Sequence, residues 1–220
     1  DTEQLAYNLG AFRSGDEVEI TLKMHGTSQR TGFLPVFSGF RRTFWDKLFR
    51  RDGEPIYTYD IVTGTRRTVI NGEDGGYYGS NSFRMPHSEL FRGKLWKGET
   101  VYYEVVGFTD SGVPIMAECG NKKLNDKEFV KQYGKTTTFS YGCERTGKRG
   151  FGITEEEVPQ SDIYVYRMTM TNEDGNVVEY TPDFMRYRCE QMGVKTVPVL
   201  WKGTIPQEPA IPHPDYCHTS

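Results

Sequence analysis

The chain has 220 residues, 26% of them charged, and a formal net charge of −3. That length allows one sizeable domain with a core of its own, and the slight acidity argues against a protein that coats nucleic acid through bulk charge. No apolar run approaches the roughly 20 residues a membrane helix needs, and the first residues lack a charged-then-apolar signal pattern, so a cytoplasmic monomer with no membrane partner is expected.

Taken in chain order, the first clear pattern is Val18, Ile20, Leu22 and Met24 alternating with Glu17, Glu19, Thr21 and Lys23. A period of two predicts a strand over 17–24 that sends the apolar set inward and leaves Lys23 on the opposite face at the strand's end. Gly26 then lets the backbone turn sharply or approach a ligand closely. Residues 40–51 mix Arg41, Arg42, Lys47, Arg50 and Arg51 with Phe40, Phe44, Trp45 and Phe49. Such a mixture suits phosphates and exposed bases; it also suits an amphipathic helix near 43–50 whose aromatic side packs on a sheet.

Further strands are expected over 56–62, 66–70, 100–107, 113–118, 163–171 and 176–180, and Asn172-Glu173-Asp174-Gly175-Asn176 joins the last two as a hairpin. Short helices are expected near 87–92 and 125–133. A longer one starts at Thr181 as cap with Pro182 in its first turn, places Met185, Cys189 and Met192 on one face, and stops at Gly193. Antiparallel strands with few helices read as α+β. Cys119, Cys143, Cys189 and Cys217 form no C-x-x-C pair, so reduced thiols are expected rather than a zinc site or a disulfide scaffold, and the tail at 213–218 reads as Pro-rich chain rather than a metal cluster.

The segment Lys23-Met24-His25-Gly26-Thr27 resembles the nucleotidyl-acceptor motif of the covalent nucleotidyltransferases, the superfamily of ATP-dependent ligases and capping enzymes, and its His-Gly-Thr form looks most like the RNA ligases. Three more segments resemble later motifs in the same order. Val62-Thr63-Gly64-Thr65-Arg66-Arg67-Thr68-Val69 is similar to the arginine motif, Tyr102-Tyr103-Glu104-Val105-Val106-Gly107 to the glutamate motif, and the run from Asp162 through Tyr166 and Tyr180 to Val197-Pro198-Val199-Leu200 to the aromatic strand, hairpin, helix and exit of the phage double-strand-repair type of RNA ligase.

The resemblance implies an antiparallel-sheet nucleotidyltransferase (ATP-grasp-like) adenylation domain spanning 1–220, with insertions at about 33–57 and 108–161. It implies ATP and Mg²⁺ (or Mn²⁺), a lysine–AMP intermediate, and the sealing of RNA 5′-phosphate and 3′-hydroxyl ends. Carried over residue by residue, it makes Lys23 the nucleophile, with His25, Gly26 and Ser28 at the turn. Arg67, or secondarily Arg66, takes phosphate; Glu104 takes ribose and the metal shell; Tyr166 stacks on adenine.

The chemistry fits those residue types. An ordinary lysine is neutral in only about one molecule in 2,500 at pH 7, so a lysine nucleophile needs cations nearby. Metal ions and arginines supply them, and the planar fork of arginine donates to two phosphate oxygens at once. A carboxylate on a strand such as Glu104 needs a hydrogen bond or a cation, and an aromatic ring stacking on a base contributes about 1 to 3 kcal/mol. Each residue also has a plainer role available: solvated edge charges for the arginines, a salt bridge for Glu104, core packing for Tyr166, and a structural histidine for His25.

Two positions depart from the phage-type pattern. Ser28 stands where that type has asparagine, and Arg167 stands where it has an acidic residue directly after the stacking aromatic. The resemblance also implies two more motifs, an E-G-hydrophobic strand and a K-x-K strand, which do not occur before Ser220; the domain is therefore expected to be incomplete at its C-terminus. The alternatives left open are a non-catalytic RNA-binding or regulatory module that keeps the ligase fold, and a DNA ligase or capping-type enzyme.

Overall fold

The structure, a computed structural model, describes residues 5–49, 51–70, 80–116, 139–144 and 159–206. In chain order it holds β1 (Glu17–Thr21), β2 (Thr27–Arg41), α1 (Phe44–Leu48), β3 (Glu54–Gly64), α2 (Met85–Glu89), β4 (Glu99–Gly107), β5 (Phe139–Ser140), β6 (Cys143–Glu144), β7 (Ser161–Thr171), β8 (Val177–Glu179), α3 (Pro182–Met192) and β9 (Val199–Thr204). Short 3-10 turns lie at Leu5–Tyr7, Leu9–Ala11 and Ser82–Arg84. The class is α+β with antiparallel sheets and few helices. Two compact units divide the chain, Met24–Thr196 and a smaller one formed by Asp1–Lys23 with Val197–Ser220.

In the larger unit, β3, β2, β4, β7 and β8 form one five-stranded antiparallel sheet in that order. Alternate residues of its middle strands, Val101, Tyr103, Val105, Ile163 and Val165, bury against Phe83, Phe91, Leu95 and the apolar side of α3. Strand β7 changes phase partway. Tyr102 pairs with Arg167 but Tyr103 with Val165, so Tyr166 is an extra residue in a β-bulge. Beyond it the inward position passes from Val165 to Met168, while Tyr166 and Arg167 both stay exposed.

Helix α3 forms as its sequence predicts. The Thr181 hydroxyl accepts the Phe184 N–H at 3.4 Å, Pro182 occupies the first turn, and Gly193 ends the helix at φ 70°, a left-handed conformation that suits glycine. Its buried side carries Met185, Cys189 and Met192 together with Arg188. The Arg188 guanidinium donates twice to the buried Glu99 carboxylate, at 2.8 and 2.7 Å, and lies 3.9 Å from the Trp96 ring centre. Glu99 also accepts from the Tyr180 hydroxyl at 3.0 Å and the Trp96 N–H at 2.8 Å. The pair is thus fully hydrogen-bonded, the condition under which burying two charges is tolerated. Cys143 and Cys189 are free thiols whose pKa burial pushes up to about 12; Cys119 and Cys217 lie outside the described residues.

The smaller unit is a ladder of β1 and β9, Glu17 opposite Thr204 through Thr21 opposite Val199. It is extended by Ile205 N–H to Asp16 C=O at 2.9 Å.

Several expectations are corrected. The strand over 17–24 ends at Thr21, because the next partner is Pro198, which accepts the Leu22 N–H at 2.9 Å but has no N–H to return. Ile20 is exposed rather than inward. Residues 66–70 are not a strand; 65–68 make a tight turn closed by Thr65 N–H to Thr68 C=O at 2.7 Å, followed by an isolated bridge at Val69. The expected strand over 113–118 reduces to a bridge between Phe108 and Pro114 within the described residues. The segment at 33–57, expected as an insertion, continues β2 and β3 as paired strands and carries α1. Helix α1 exists within 43–50, with Thr43 and Asp46 forming a reciprocal capping box, yet none of its residues is buried, so its aromatic side does not pack on a sheet. Arg50, most of 108–161 including the helix expected near 125–133, and the tail at 213–218 lie outside the described residues.

Candidate functional site

The antiparallel register assembles a cleft in the larger unit. Strand β2 lies between β3 and β4, with Ser28 directly opposite Glu104 and Arg30 opposite Gly64. The turn after β3 therefore stands beside the first residues of β2. Gly26, Thr27, Ser28, Thr65, Arg66, Arg67 and Glu104 line an open cleft of about 410 Å³, within the size range of small-molecule sites.

Gly26 is required by packing within the protein. A Cβ there would stand 2.2 Å from the Val105 carbonyl oxygen, 2.9 Å from Val106 Cγ1 and 3.0 Å from Glu104 Cγ. Its close approach is to β4, and this draws the start of β2 tight against the glutamate strand.

The Thr65 side chain organises the arginine turn, accepting the Arg67 N–H at 3.4 Å and the Thr68 N–H at 3.3 Å. Both guanidinium-bearing residues are exposed at the cleft, suited to an anionic ligand. Tyr166, turned outward by its bulge, reaches across β4 and meets the Ser28 hydroxyl at 3.2 Å. The residue is 41% exposed. Burial raises the Tyr166 hydroxyl above the usual tyrosine range, the Ser28 hydrogen bond opposes this, and the Glu104 carboxylate adds to it. The hydroxyl accordingly stays protonated at neutral pH.

Arg167 does not leave a reversed charge unanswered. It pairs with Glu179 of β8 at 3.0 Å and lies 5.0 Å from the Tyr102 ring centre. His25 is held through its main chain, whose N–H donates to the Tyr141 hydroxyl at 2.9 Å, and its side chain is exposed. Lys23 is exposed and is the last residue of the smaller unit's first segment, three positions before Gly26.

One residue of this region escapes sequence reading. Arg84, buried, donates to the Thr27 hydroxyl at 2.6 Å and at 3.4 Å to the Ser28 carbonyl and to Gln29 Oε1. It pins the start of β2 from behind and places a cation beneath the cleft. Nothing in Ser82-Phe83-Arg84-Met85-Pro86 marks it. Thr65 lies inside the quoted arginine motif, though its side chain was given no part there.

Among the described residues no group of three or more His, Cys, Asp and Glu could hold a metal by itself. Among the described residues lining the cleft, Glu104 is the one carboxylate, and it stands with the exposed Arg66 and Arg67. No helix among the described residues is long and apolar enough to cross a membrane.

No protein-family model and no curated protein matches this sequence.

Proposed function

We propose that this chain is the adenylation domain of a covalent nucleotidyltransferase. Within that class, we infer an ATP-dependent RNA ligase that joins 5′-phosphate and 3′-hydroxyl ends. The supporting observation is convergence: residues of three motif segments far apart in sequence, Gly26 to Ser28, Thr65 to Arg67, and Glu104, line one cleft, and the Tyr166 of a fourth bonds to its Ser28. Scattered solvated charges and core aromatics would not be expected to meet in this way.

In this reading the Tyr166 ring stacks on adenine, Glu104 takes a ribose hydroxyl or a metal-bound water, and Arg66 and Arg67 donate to the phosphates. Mg²⁺ supplies charge neutralisation on the triphosphate. The Lys23 amine, having lost a proton to solvent, attacks the α-phosphorus; an N–P bond forms, the α–β P–O bond breaks, and pyrophosphate departs with the electron pair. Attack by an RNA 5′-phosphate oxygen then returns the amine and gives an RNA-adenylate. A 3′-hydroxyl displaces AMP from it. Positioning and charge neutralisation carry such transfers, and the cleft offers groups for both.

The test is transfer of label from α-labelled ATP to protein with Mg²⁺ or Mn²⁺, on residues 1–220 and on a version extended past Ser220. Label that pyrophosphate discharges and that Lys23→Ala abolishes is the expected result. No label in either version, with RNA binding retained, would assign the chain instead to the non-catalytic modules; label taken from α-labelled GTP in place of ATP would assign it to the capping enzymes, and label passed from ATP to DNA ends alone to the DNA-joining enzymes.

A further inference from the structure

Among the described residues strand β2 pairs with β4 over residues 27–32, and Phe33 still accepts the Gly98 N–H at 2.8 Å; from Leu34 to Arg41 its ladder partner is β3, so this outer part is a two-stranded ribbon with α1 at its end. Eight residues of strand extend about 26 Å. Along the ribbon Phe37 sits 5.0 Å from Phe40 and 6.0 Å from Tyr57 between ring centres, and at its end Trp45 stacks on Phe49 at 6.0 Å. All five rings are exposed, Trp45 to 63%. Unpartnered aromatic surface of this extent on one arm marks an interaction site.

Charge identifies the partner. Residues 40–54 carry Arg41, Arg42, Lys47, Arg50 and Arg51 against Asp46, Asp52 and Glu54, the last opposite Arg41 across the ribbon, and so keep a positive balance in a chain of net charge −3. Asp46 is occupied in capping α1, and Asp52 pairs with Arg42 at 3.5 Å. The arm thus sets a positive balance of charge beside exposed aromatic side chains, complementary to a polyanion that also has planar faces to stack. We propose that the ribbon and α1 form a docking arm for single-stranded nucleic acid, with Phe37, Phe40, Tyr57, Trp45 and Phe49 as stacking platforms and Arg41, Arg42 and Lys47 on the phosphates. The rings run along the ribbon as well as at its tip, which fits a strand tracking the arm better than a wedge entering a bilayer. The site is separate from the cleft and does not rest on the adenylation reading.

The experiment uses the whole chain and a fluorescein-labelled oligouridylate of about 15 nucleotides, read by anisotropy. Trp45→Ala with Phe49→Ala should weaken binding by about tenfold or more, since each base stack is of that order, and Trp45→Phe should retain most of the affinity. Arg41→Ala with Arg42→Ala should lower the salt dependence of log K by about 1.4, two contacts at about 0.7 each. Because α1 buries no residue and Arg41 and Arg42 are exposed, circular dichroism and melting of these variants should match the parent. Unchanged affinity in the Trp45/Phe49 variant overturns the proposal. So does sedimentation with phosphatidylserine vesicles through Trp45 while the oligonucleotide stays unbound, which would make the arm a membrane anchor.

Discussion

The two halves of strand β2 invert the usual relation between polarity and burial. Residues 27–32, Thr-Ser-Gln-Arg-Thr-Gly, are polar, yet Gln29 and Thr31 are fully buried; the outer half holds Phe33, Leu34, Val36, Phe37 and Phe40, and Val36, Phe37 and Phe40 are exposed. Neighbours explain the difference. The inner half pairs with β4 throughout, gains β3 on its other side from Arg30 and has the core beneath, whereas the ladder of the outer half is with β3. Burial of the polar half is made possible by a hydrogen-bonded set: the Gln29 amide donates to the Tyr103 hydroxyl at 2.7 Å and to the Arg84 carbonyl at 3.1 Å, and Thr31 meets Tyr103 at 2.8 Å. An apolar residue becomes core only where the topology supplies a second layer.

The strongest way to break the inner half's support is at the junction where β4 begins. Glu99→Ala strands the Arg188 guanidinium in the core, and a loss of about 3–5 kcal/mol in urea unfolding is expected; a loss under about 1 kcal/mol would mean that water reaches the pair. Tyr103→Phe comes next. Removing that hydroxyl leaves Gln29 and Thr31 each short of a buried partner, for about 1–3 kcal/mol, whereas the same unfolding experiment on Phe37→Ser in the outer half should shift stability by no more than about 0.5 kcal/mol. Equal effects at the two positions would erase the contrast.

A gentler probe is pH. Burial holds His87 below its ordinary value of 6.5, against the opposing charges of Asp162 and Asp110, and its Nε2 lies 2.9 Å from the Ser161 hydroxyl. Between the lowered folded value and 6.5 the unfolded chain binds a proton that folded His87 does not, so this contribution is complete above 6.5 and declines as pH falls below it. Melting temperature against pH should show that decline, and His87→Gln should flatten it. At the cleft, under the adenylation reading proposed above, Tyr166→Ala should raise the ATP concentration needed for half-maximal self-labelling by about tenfold. Tyr166→Phe, which keeps the ring and loses only the Ser28 bond, should change it far less.

Much of the secondary structure was legible from the residues. The β-favouring residues of 100–107 and 163–171, the Asn172–Asn176 turn and the Thr181, Pro182 and Gly193 punctuation of α3 are local signals, and the elements formed where those signals lay. The longest strand was not legible. Thr27–Arg41 has a polar start and contains Gly32, Pro35 and Gly39, so it shows no clean period of two; its extended form comes from β3 and β4 on either side.

The same division holds for the cleft. Short motifs name Gly26, Ser28, Arg66, Arg67, Glu104 and Tyr166, because the chemistry they resemble needs those side chains at those spacings. Their meeting in space depends on a strand order of β3, β2, β4, β7, on a bulge that turns Tyr166 outward, and on Arg84 gripping β2 from behind. Those are long-range facts. Hydrogen-bond register and packing join residues tens of positions apart, and a local pattern in the chain holds no record of which strand will lie beside it.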